Sequence, residues 1–249
     1  MKISIITLSF NSEKTIENTI KSVISQTYKD IEYIIIDGGS KDGTLRIIEK
    51  YKDKISKIIS EHDKGIYDAM NKGIALASGE VIGILNSDDL YYDENVIKIV
   101  MNVFINENPD CIWGDLFYFL NDPNKIIRYW KSSEYIGGLF EKGWFPPHPT
   151  FFVKKEIYNK YGNFRLDFHI AADYELMFRF LKKYKIKGEY APSILVRMRA
   201  GGMANKNIIT GNLECIRAWK VNGFKIPFYT PILKILKRVP QLIFRKTIN

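Results

Sequence analysis

The sequence predicts an α/β fold: a mostly parallel sheet flanked by helices, followed by a basic amphipathic C-terminal extension. In the first half of the chain, β-branched apolar runs alternate at short intervals with helix-like segments, which is the pattern of parallel strands joined by helices. The chain has 249 residues, 46% of them hydrophobic, which suits one domain with a sizeable core. Of the formal net charge of +9, residues 216–249 contribute eight basic side chains and no acidic ones. The body is therefore nearly neutral, and the extension carries the charge.

The first half predicts four strands, at residues 2–7, 32–37, 57–60 and 80–85, with helices near residues 13–26, 43–51 and 65–77 between them. Strands joined in this way cross over right-handedly, so their carboxyl ends line one edge of the sheet. Ligands bind at that edge in open sheets of this kind.

The second half is less regular. We expect a helix near residues 94–106, a β-rich stretch at 111–119, a proline-containing loop at 137–149, and helices near 154–161 and 172–183. We divide the chain into a body of residues 1–215, whose halves meet near residue 90, and a tail of residues 216–249. Cys111 and Cys215 match no metal or redox spacing, and no apolar run approaches the length of a membrane span, so we expect buried thiols and a cytoplasmic protein.

Two adjacent carboxylates, Asp88 and Asp89, follow the strand expected at residues 80–85. Because neighbouring carboxylates repel each other, a hard divalent cation such as Mn²⁺ or Mg²⁺ stabilises such a pair while bridging to a diphosphate. The alternative is that the pair caps the next helix. We favour a metal site with Asp88 and Asp89 as its ligands.

The ends of the other strands carry further polar residues. Asp37 closes the second strand before two glycines, where its carboxylate can accept hydrogen bonds from a base or a ribose. An ordinary strand–turn–helix is the alternative. The helix near residues 65–77 begins with a dense polar group suited to a diphosphate, although a solvated helix face also explains it. This group comprises Asp63, Lys64, Asp68, Asn71 and Lys72, and we take the first four as ligand-binding residues.

Two residues of the second half are candidates for chemistry. Asp173 begins an amphipathic helix, where it is either an N-cap or a general base that takes a proton from an acceptor hydroxyl. His148 lies in a proline-restricted loop and contacts the acceptor or the metal, unless its role is structural. Neither choice is settled by the residues themselves.

Taken together and in order, these segments resemble the family 2 glycosyltransferases of bacterial polysaccharide assembly. The resemblance spans roughly residues 3–203. It is carried by SIITLSFN at 4–11, SVISQTY at 22–28, DGGSKDG at 37–43, DKGIYDAMNKG at 63–73, NSDD at 86–89, PHPTFF at 147–152 and ADYELMFR at 172–179.

The resemblance implies a GT-A-like, Rossmann-like fold, with a nucleotide-sugar half at residues 1–90 and an acceptor half at 91–215. It implies a metal-dependent transfer, with inversion, from a donor that is commonly UDP-linked. In that picture Leu8, Phe10 and Asp37 border the nucleoside. Asp88 and Asp89 contact the ribose and the metal, and Asp173 matches the catalytic base.

The chain departs from the family pattern at two positions. Many members have two acidic residues where this chain has Asp37 followed by Gly38, and many have an aspartate where it has Asn86. The first departure leaves the base of the nucleotide open. The second rests metal binding on Asp88 and Asp89 alone.

The tail interleaves aromatic and aliphatic residues with lysines and arginines, and Pro227, Pro231 and Pro240 divide it into short pieces. We expect it to lie on an anionic membrane surface at the inner face of the cell membrane, near a lipid-linked glycan acceptor. The alternative is that its apolar residues pack on the body.

Two other functions remain as alternatives. A nucleotidyltransferase would need a glycine-rich basic loop near the N-terminus, and residues 8–12 supply neither glycine nor arginine. A non-catalytic module would bind membrane or nucleic acid through the tail, independently of Asp88, Asp89 and Asp173. Our prediction is the glycosyltransferase, with no nucleic-acid partner.

Overall fold

The computed structural model describes residues 1–201 and 208–236 of the chain. Its strands are β1 (Ile3–Ser9), β2 (Ile31–Asp37), β3 (Lys57–Ser60), β4 (Val81–Asn86), β5 (Leu90–Tyr91), β6 (Cys111–Phe119), β7 (Arg128–Trp130), β8 (Phe152–Lys154) and β9 (Gly188–Arg199). Its helices are α1 (Ile16–Ile24), α2 (Thr44–Glu49), α3 (Ile66–Leu76), α4 (Val96–Glu107), α5 (Lys155–Tyr161), α6 (Ala172–Phe178), α7 (Ile208–Val221) and α8 (Thr230–Leu236). Short 3₁₀ turns occupy Lys52–Lys54 and His148–Thr150, and a π-helical turn, Arg179–Lys183, extends α6.

In the described ranges the strands form one sheet in the order β3, β2, β1, β4, β8, β6, β9, β5, and β7 pairs with β6. The strands from β3 to β4 are all parallel, as predicted. Beyond β4 the sheet is mixed, because the short strand β8 pairs antiparallel with both β4 and β6. The α/β class is confirmed, and the parallel arrangement belongs to the first half.

Alternate side chains of the central strands pack into two hydrophobic layers, one on each face of the sheet. Ile6 and Leu8 of β1 pack on the side of α3, α6 and α7, whereas Ile3 and Ile5 pack on the side of α1 and α4. Helix α3 lies so close to β1 that a Cβ atom at Gly73 would come within 2.4 Å of Ile6 Cγ2. Helices on both faces bury the central strands completely, which explains their continuous apolar sequence.

Several elements were not predicted. Strand β9 is parallel to β6, with a register irregularity near Pro192, where a strand can lack a backbone donor. Helix α7 runs unbroken past residue 215, so the described part of the predicted tail begins inside a helix. Pro231 lies in the first turn of α8, a position that tolerates proline. Residues 237–249 of the tail lie outside the described residues.

The two cysteines are buried free thiols, as predicted. Within residues 1–201 and 208–236, no helix combines the length and the apolar character needed to cross a bilayer.

Candidate active site

A cleft of about 880 Å³ opens at the carboxyl ends of β1, β2 and β4. We call its lining residues between 8 and 89 the N-terminal wall, and those between 148 and 199 the C-terminal wall. The C-terminal wall consists of His148, Pro149, His169, Ile170, Asp173, Met198 and Arg199. The position of the cleft is the one expected for a ligand site in a parallel sheet.

The N-terminal wall begins with the loop after β1. Leu8 and Phe10 both line the cleft, and the Phe10 ring is 64% exposed. The following residue, Asn11, has a left-handed backbone (φ +48°), and its side-chain oxygen accepts a hydrogen bond from the backbone of Lys41 at 3.0 Å. The Ser12 hydroxyl lies 2.8 Å from that of Ser87. These contacts fasten the loop to its neighbours and leave an exposed aromatic ring available for stacking.

Asp37 does not reach the cleft, because it is fully buried at the end of β2. Its carboxylate accepts five hydrogen bonds, so it serves the turn rather than an external ligand. The donors are the hydroxyls of Ser9 (3.0 Å), Ser40 (2.5 Å) and Ser60 (2.8 Å) and the backbone amides of Gly39 (3.1 Å) and Ser40 (2.9 Å). A direct contact from Asp37 to a nucleoside would require several of these bonds to break.

The polar group at the start of α3 is divided. Asp63 lines the cleft and forms an ion pair with Lys72 at 2.6 Å. Lys64 and Asp68 lie beside this wall, where the Lys64 backbone donates to the Asp68 carboxylate at 3.0 Å. Asn71 makes paired hydrogen bonds with the backbone of Phe164, at 2.9 and 3.0 Å. Of these four predicted ligand-binding residues, the structure therefore brings only Asp63 to the cleft.

The carboxylate pair lies where the sequence predicts it, on the cleft wall after β4. Asp89 is 1% exposed, and its carboxylate accepts hydrogen bonds from the Arg199 backbone (2.9 Å) and the Asn86 amide (3.3 Å). Burial and the neighbouring charge of Asp88 raise the pKa of Asp89 well above its usual value, and burial also raises the pKa of Asp88. Two adjacent carboxylates in this environment favour the binding of positive charge, and the nearby Arg199 guanidinium already opposes part of the rise in both pKa values.

The donor set fits a hard divalent cation. Asp88 and Asp89 supply carboxylate oxygens, and the buried Oδ1 of Asn86 has no hydrogen-bond partner among the described residues. Oxygen ligands of this kind are those that Mn²⁺ and Mg²⁺ prefer. In the part of the chain that the structure describes, no group of three or more His, Cys, Asp or Glu side chains could hold a metal ion, so the carboxylates available here are Asp88 and Asp89.

Asp173 lines the C-terminal wall as the second residue of α6. Its carboxylate accepts a hydrogen bond from the backbone of Tyr174 at 2.7 Å. It is not the N-cap, since Ala171 occupies that position without a side-chain cap. The structure thus places a carboxylate, not committed to capping, on the wall of the same cleft as Asp88 and Asp89.

His148 also lies on the C-terminal wall, with its ring edge-on to Phe164 at 5.5 Å. Burial lowers the pKa of His148, and the Asp173 carboxylate opposes that effect. Burial therefore favours the neutral imidazole, and Asp173 is near enough to act on it electrostatically.

Some residues of the cleft escaped prediction. His62, His169, Met198 and Arg199 line it, so all three histidines of the chain face one cavity. The Arg199 backbone binds Asp89, and its guanidinium packs 4.9 Å above the Phe119 ring. Arg199 ends a strand that the sequence did not reveal, so no pattern pointed to it. The clustering of the three histidines could not be predicted either, because their spacing in the sequence matches no known pattern.

The model of Glycosyl transferase family 2 matches residues 4–186. The chain belongs to this family. A family member from Mycobacterium tuberculosis, described as an uncharacterized glycosyltransferase, is 34% identical over 182 residues, which cover 71% of this chain and 68% of the relative. The PGL/p-HBAD biosynthesis glycosyltransferase of Mycobacterium bovis is 24% identical over 97% of this chain and 92% of its own.

Solved structures show the same fold for this family 2 glycosyltransferase. S. aureus TarS in complex with UDP superposes with a TM-score of 0.67 at 17% identity, over 96% of this chain and 71% of TarS. The mannosyltransferase PcManGT from Pyrobaculum calidifontis, in complex with GDP-Man and Mn²⁺, gives a TM-score of 0.70 at 16% identity, over 98% and 72% of the two chains. The fold is therefore the GT-A fold, and the chain is a glycosyltransferase.

Proposed function

We propose that this enzyme transfers one sugar from a UDP-linked donor to a hydroxyl group of a growing, lipid-linked cell-surface glycan, with inversion at the anomeric carbon. The observation that carries the proposal is the placement of Asp173 and the Asp88–Asp89 pair on the two walls of one cleft. The family match favours this reaction over a nucleotidyltransferase and over a non-catalytic module.

The N-terminal wall is the proposed donor site. The exposed Phe10 ring stacks on the base, Leu8 borders it, and the Asp63 carboxylate accepts a hydrogen bond from the nucleoside. The TarS complex with UDP supports a uridine donor, whereas PcManGT binds GDP-Man, so guanosine is the alternative to test.

Asp88 and Asp89 are the proposed ligands of the divalent cation. When bound, Mn²⁺ or Mg²⁺ supplies positive charge that stabilises the departing diphosphate. Asp88 is additionally positioned to contact the ribose from the same wall. Asn86 donates to Asp89 through its amide, and its carbonyl oxygen, which has no hydrogen-bond partner among the described residues, is a further candidate oxygen ligand.

Asp173 is the proposed general base. The acceptor hydroxyl attacks the anomeric carbon, the bond between that carbon and the diphosphate oxygen breaks, and the proton of the hydroxyl passes to the Asp173 carboxylate. A single displacement of this kind inverts the anomeric configuration. For His148, which lines the same cleft as Asp173, the proposed role is a contact to the acceptor, with the metal as the alternative.

The C-terminal helices form the proposed membrane contact. Large apolar side chains of these helices and of the turn between them face solvent, and Phe228 in that turn is 88% exposed. The others are Ile209, Leu213, Ile216, Tyr229, Ile232 and Leu236. The surrounding segment, residues 216–249, is basic without acidic residues, which suits an anionic leaflet. Such a contact would hold the enzyme peripherally at the inner face of the cell membrane, near a lipid-linked acceptor.

Calorimetric titration tests the donor and the metal together. UDP and GDP are titrated into the wild-type protein and Asp89→Asn, each with Mn²⁺ and with a chelator. We expect UDP to bind in a metal-dependent manner to the wild type, and the metal dependence to disappear in Asp89→Asn. Absence of binding by either nucleotide under every condition would refute the proposed function, and GDP binding alone would change the donor.

Co-sedimentation tests the membrane contact. The full chain is mixed with vesicles of phosphatidylglycerol and phosphatidylcholine, or of phosphatidylcholine alone. We expect binding to the anionic vesicles only, reduced in Phe228→Ser. Ile105→Ser is the matched control, because Ile105 is 55% exposed on α4, away from the C-terminal helices. Equal binding by the two variants would exclude this surface.

A further inference from the structure

The buried carboxylate of Glu214, on α7, is committed entirely to the backbone of a cleft loop. Its two oxygens accept three hydrogen bonds, each 2.8 Å long, from the consecutive amides of His169, Ile170 and Ala171. Glu214 is 7% exposed. These three residues immediately precede α6, so Glu214 fixes the loop that leads into the helix carrying Asp173.

Other residues of α7 near Glu214 contact the same loop, from Asp167 to Ile170. Arg217, one turn after Glu214, donates to the Asp167 carbonyl at 2.7 Å and packs 4.7 Å above the Phe168 ring. One turn before Glu214, Gly211 lets α7 approach the loop closely, because a Cβ atom at this position would lie 3.2 Å from Ile170 Cγ2. Every residue from 167 to 171 is thus held by α7.

Two further side chains, Trp219 of α7 and Asn222 directly after it, reach α6 itself. The Trp219 indole donates to the Tyr174 hydroxyl at 2.9 Å, and the Asn222 amide donates to the Glu175 carboxylate at 2.9 Å. Asp173 therefore lies between a loop fastened by Glu214 and two residues fastened by the end of α7. Helix α7 follows residue 186, where the family match ends.

We propose that Glu214 is a positioning residue for the transfer reaction: it fixes the loop 169–171 and thereby the direction of Asp173 and of the neighbouring wall residues His169 and Ile170. The inference rests on the proposed function in one respect, the role of Asp173 as base. A carboxylate is required because all three partners are donors. Glutamine offers one acceptor oxygen and sets its own N–H₂ group against a backbone N–H.

The test compares Glu214→Gln with Asn222→Ala. Asn222 is a matched control, since it is buried in the turn immediately after the same helix and bonds to α6 but not to the loop. Hydrogen exchange is followed at the amides of residues 169–171. Transfer is followed as UDP release from UDP-sugars with octyl glycosides as acceptors, and melting temperatures are recorded for both variants.

We expect faster exchange at residues 169–171 in Glu214→Gln alone. Its kcat should fall by about 100-fold, the effect of displacing a catalytic group by about 1 Å, while its KM for the donor stays unchanged. Asn222→Ala should lose stability with a much smaller loss of kcat. Unchanged exchange in Glu214→Gln, or equal losses of kcat in the two variants, would overturn the inference. A wild-type protein that releases no UDP would instead contradict the proposed function, and with it the catalytic part of this inference.

Discussion

The two walls of the cleft are built in different ways. The N-terminal wall is formed by loops that follow β1, β2, β3 and β4 and by the start of α3, so most of its side chains are placed by a strand or helix next to them in sequence. The C-terminal wall has no such support around Asp173, whose loop is held by α7, about 40 residues further along the chain. The first wall is therefore a product of local structure, whereas the second depends on long-range packing.

The largest expected effect lies on the C-terminal wall. Asp173→Asn keeps the shape of the side chain but removes the base, so we expect transfer to fall by about 1,000-fold. UDP affinity should not change, because the donor wall is intact. Steady-state UDP release and calorimetry on the same preparation measure the two properties. A parallel loss of both would show that the walls are not independent.

The second prediction concerns the packing of α7. Trp219 is 1% exposed beneath α6, so Trp219→Ala should lower the free energy of unfolding by about 3–5 kcal/mol. Leu213, on the same helix, is 61% exposed, and Leu213→Ala should change it by less than about 0.5 kcal/mol. Urea denaturation provides both values. If the two variants were equally stable, α7 would not be part of the body.

The third prediction separates stability from binding in the first half. Burial raises the pKa of Glu32, but hydrogen bonds from Ser4, Ser78 and Lys57 outweigh it and lower the pKa from 4.5 to about 2. Because the folded pKa is depressed, the stabilisation is present above pH 4.5 and is lost as the pH falls toward 2.

Glu32→Gln should therefore lower the free energy of unfolding by on the order of 3 kcal/mol at neutral pH. The difference from the wild type should shrink between pH 4.5 and 2. UDP affinity should stay the same, because Glu32 bonds near the amino ends of the strands, away from the cleft. A difference in stability that is independent of pH would refute the ionic origin.

The smallest expected effect distinguishes two carboxylates that share Lys72. Asp63 lines the cleft and Asp68 does not, although both lie within ion-pair distance of the same ammonium group. Asp63→Asn should weaken UDP binding by about 1 kcal/mol, the value of one hydrogen bond. Asp68→Asn should leave it unchanged. If calorimetry found a larger loss of UDP affinity in Asp68→Asn than in Asp63→Asn, the donor would bind near Asp68 instead of Asp63.

The difference between local and long-range support also explains which site residues could be predicted from the sequence. Asp88 and Asp89 were placed correctly because a strand-end position implies a position at the sheet edge. Asp37 occupied a similar place in sequence, but its hydroxyl partners converge from three separate segments, which no local pattern reveals. The structural role of Asn71 could not be predicted for a similar reason, since its hydrogen-bond partner Phe164 is 93 residues away.

The C-terminal part was predicted least well. The role of Glu214 could not be predicted, because its three donors are backbone amides, which residues of any type other than proline provide. Strand β9 was missed because a proline and a register irregularity interrupt its alternation of polar and apolar residues. Helix α7 was not predicted, and the tail that contains α8 was expected only as short amphipathic pieces, since the buried faces become apparent once α6 and the loop before it are in place.

The most direct test of the central claim is the anomeric configuration of the product. The enzyme is supplied with Mn²⁺, an α-linked UDP-sugar and an octyl glycoside, and the new linkage is assigned from the coupling constant of its anomeric proton by NMR. A single displacement with Asp173 as base predicts a β-linked product from the α-linked donor. An α-linked product would contradict the account, because retention requires a second displacement that neither wall is proposed to supply.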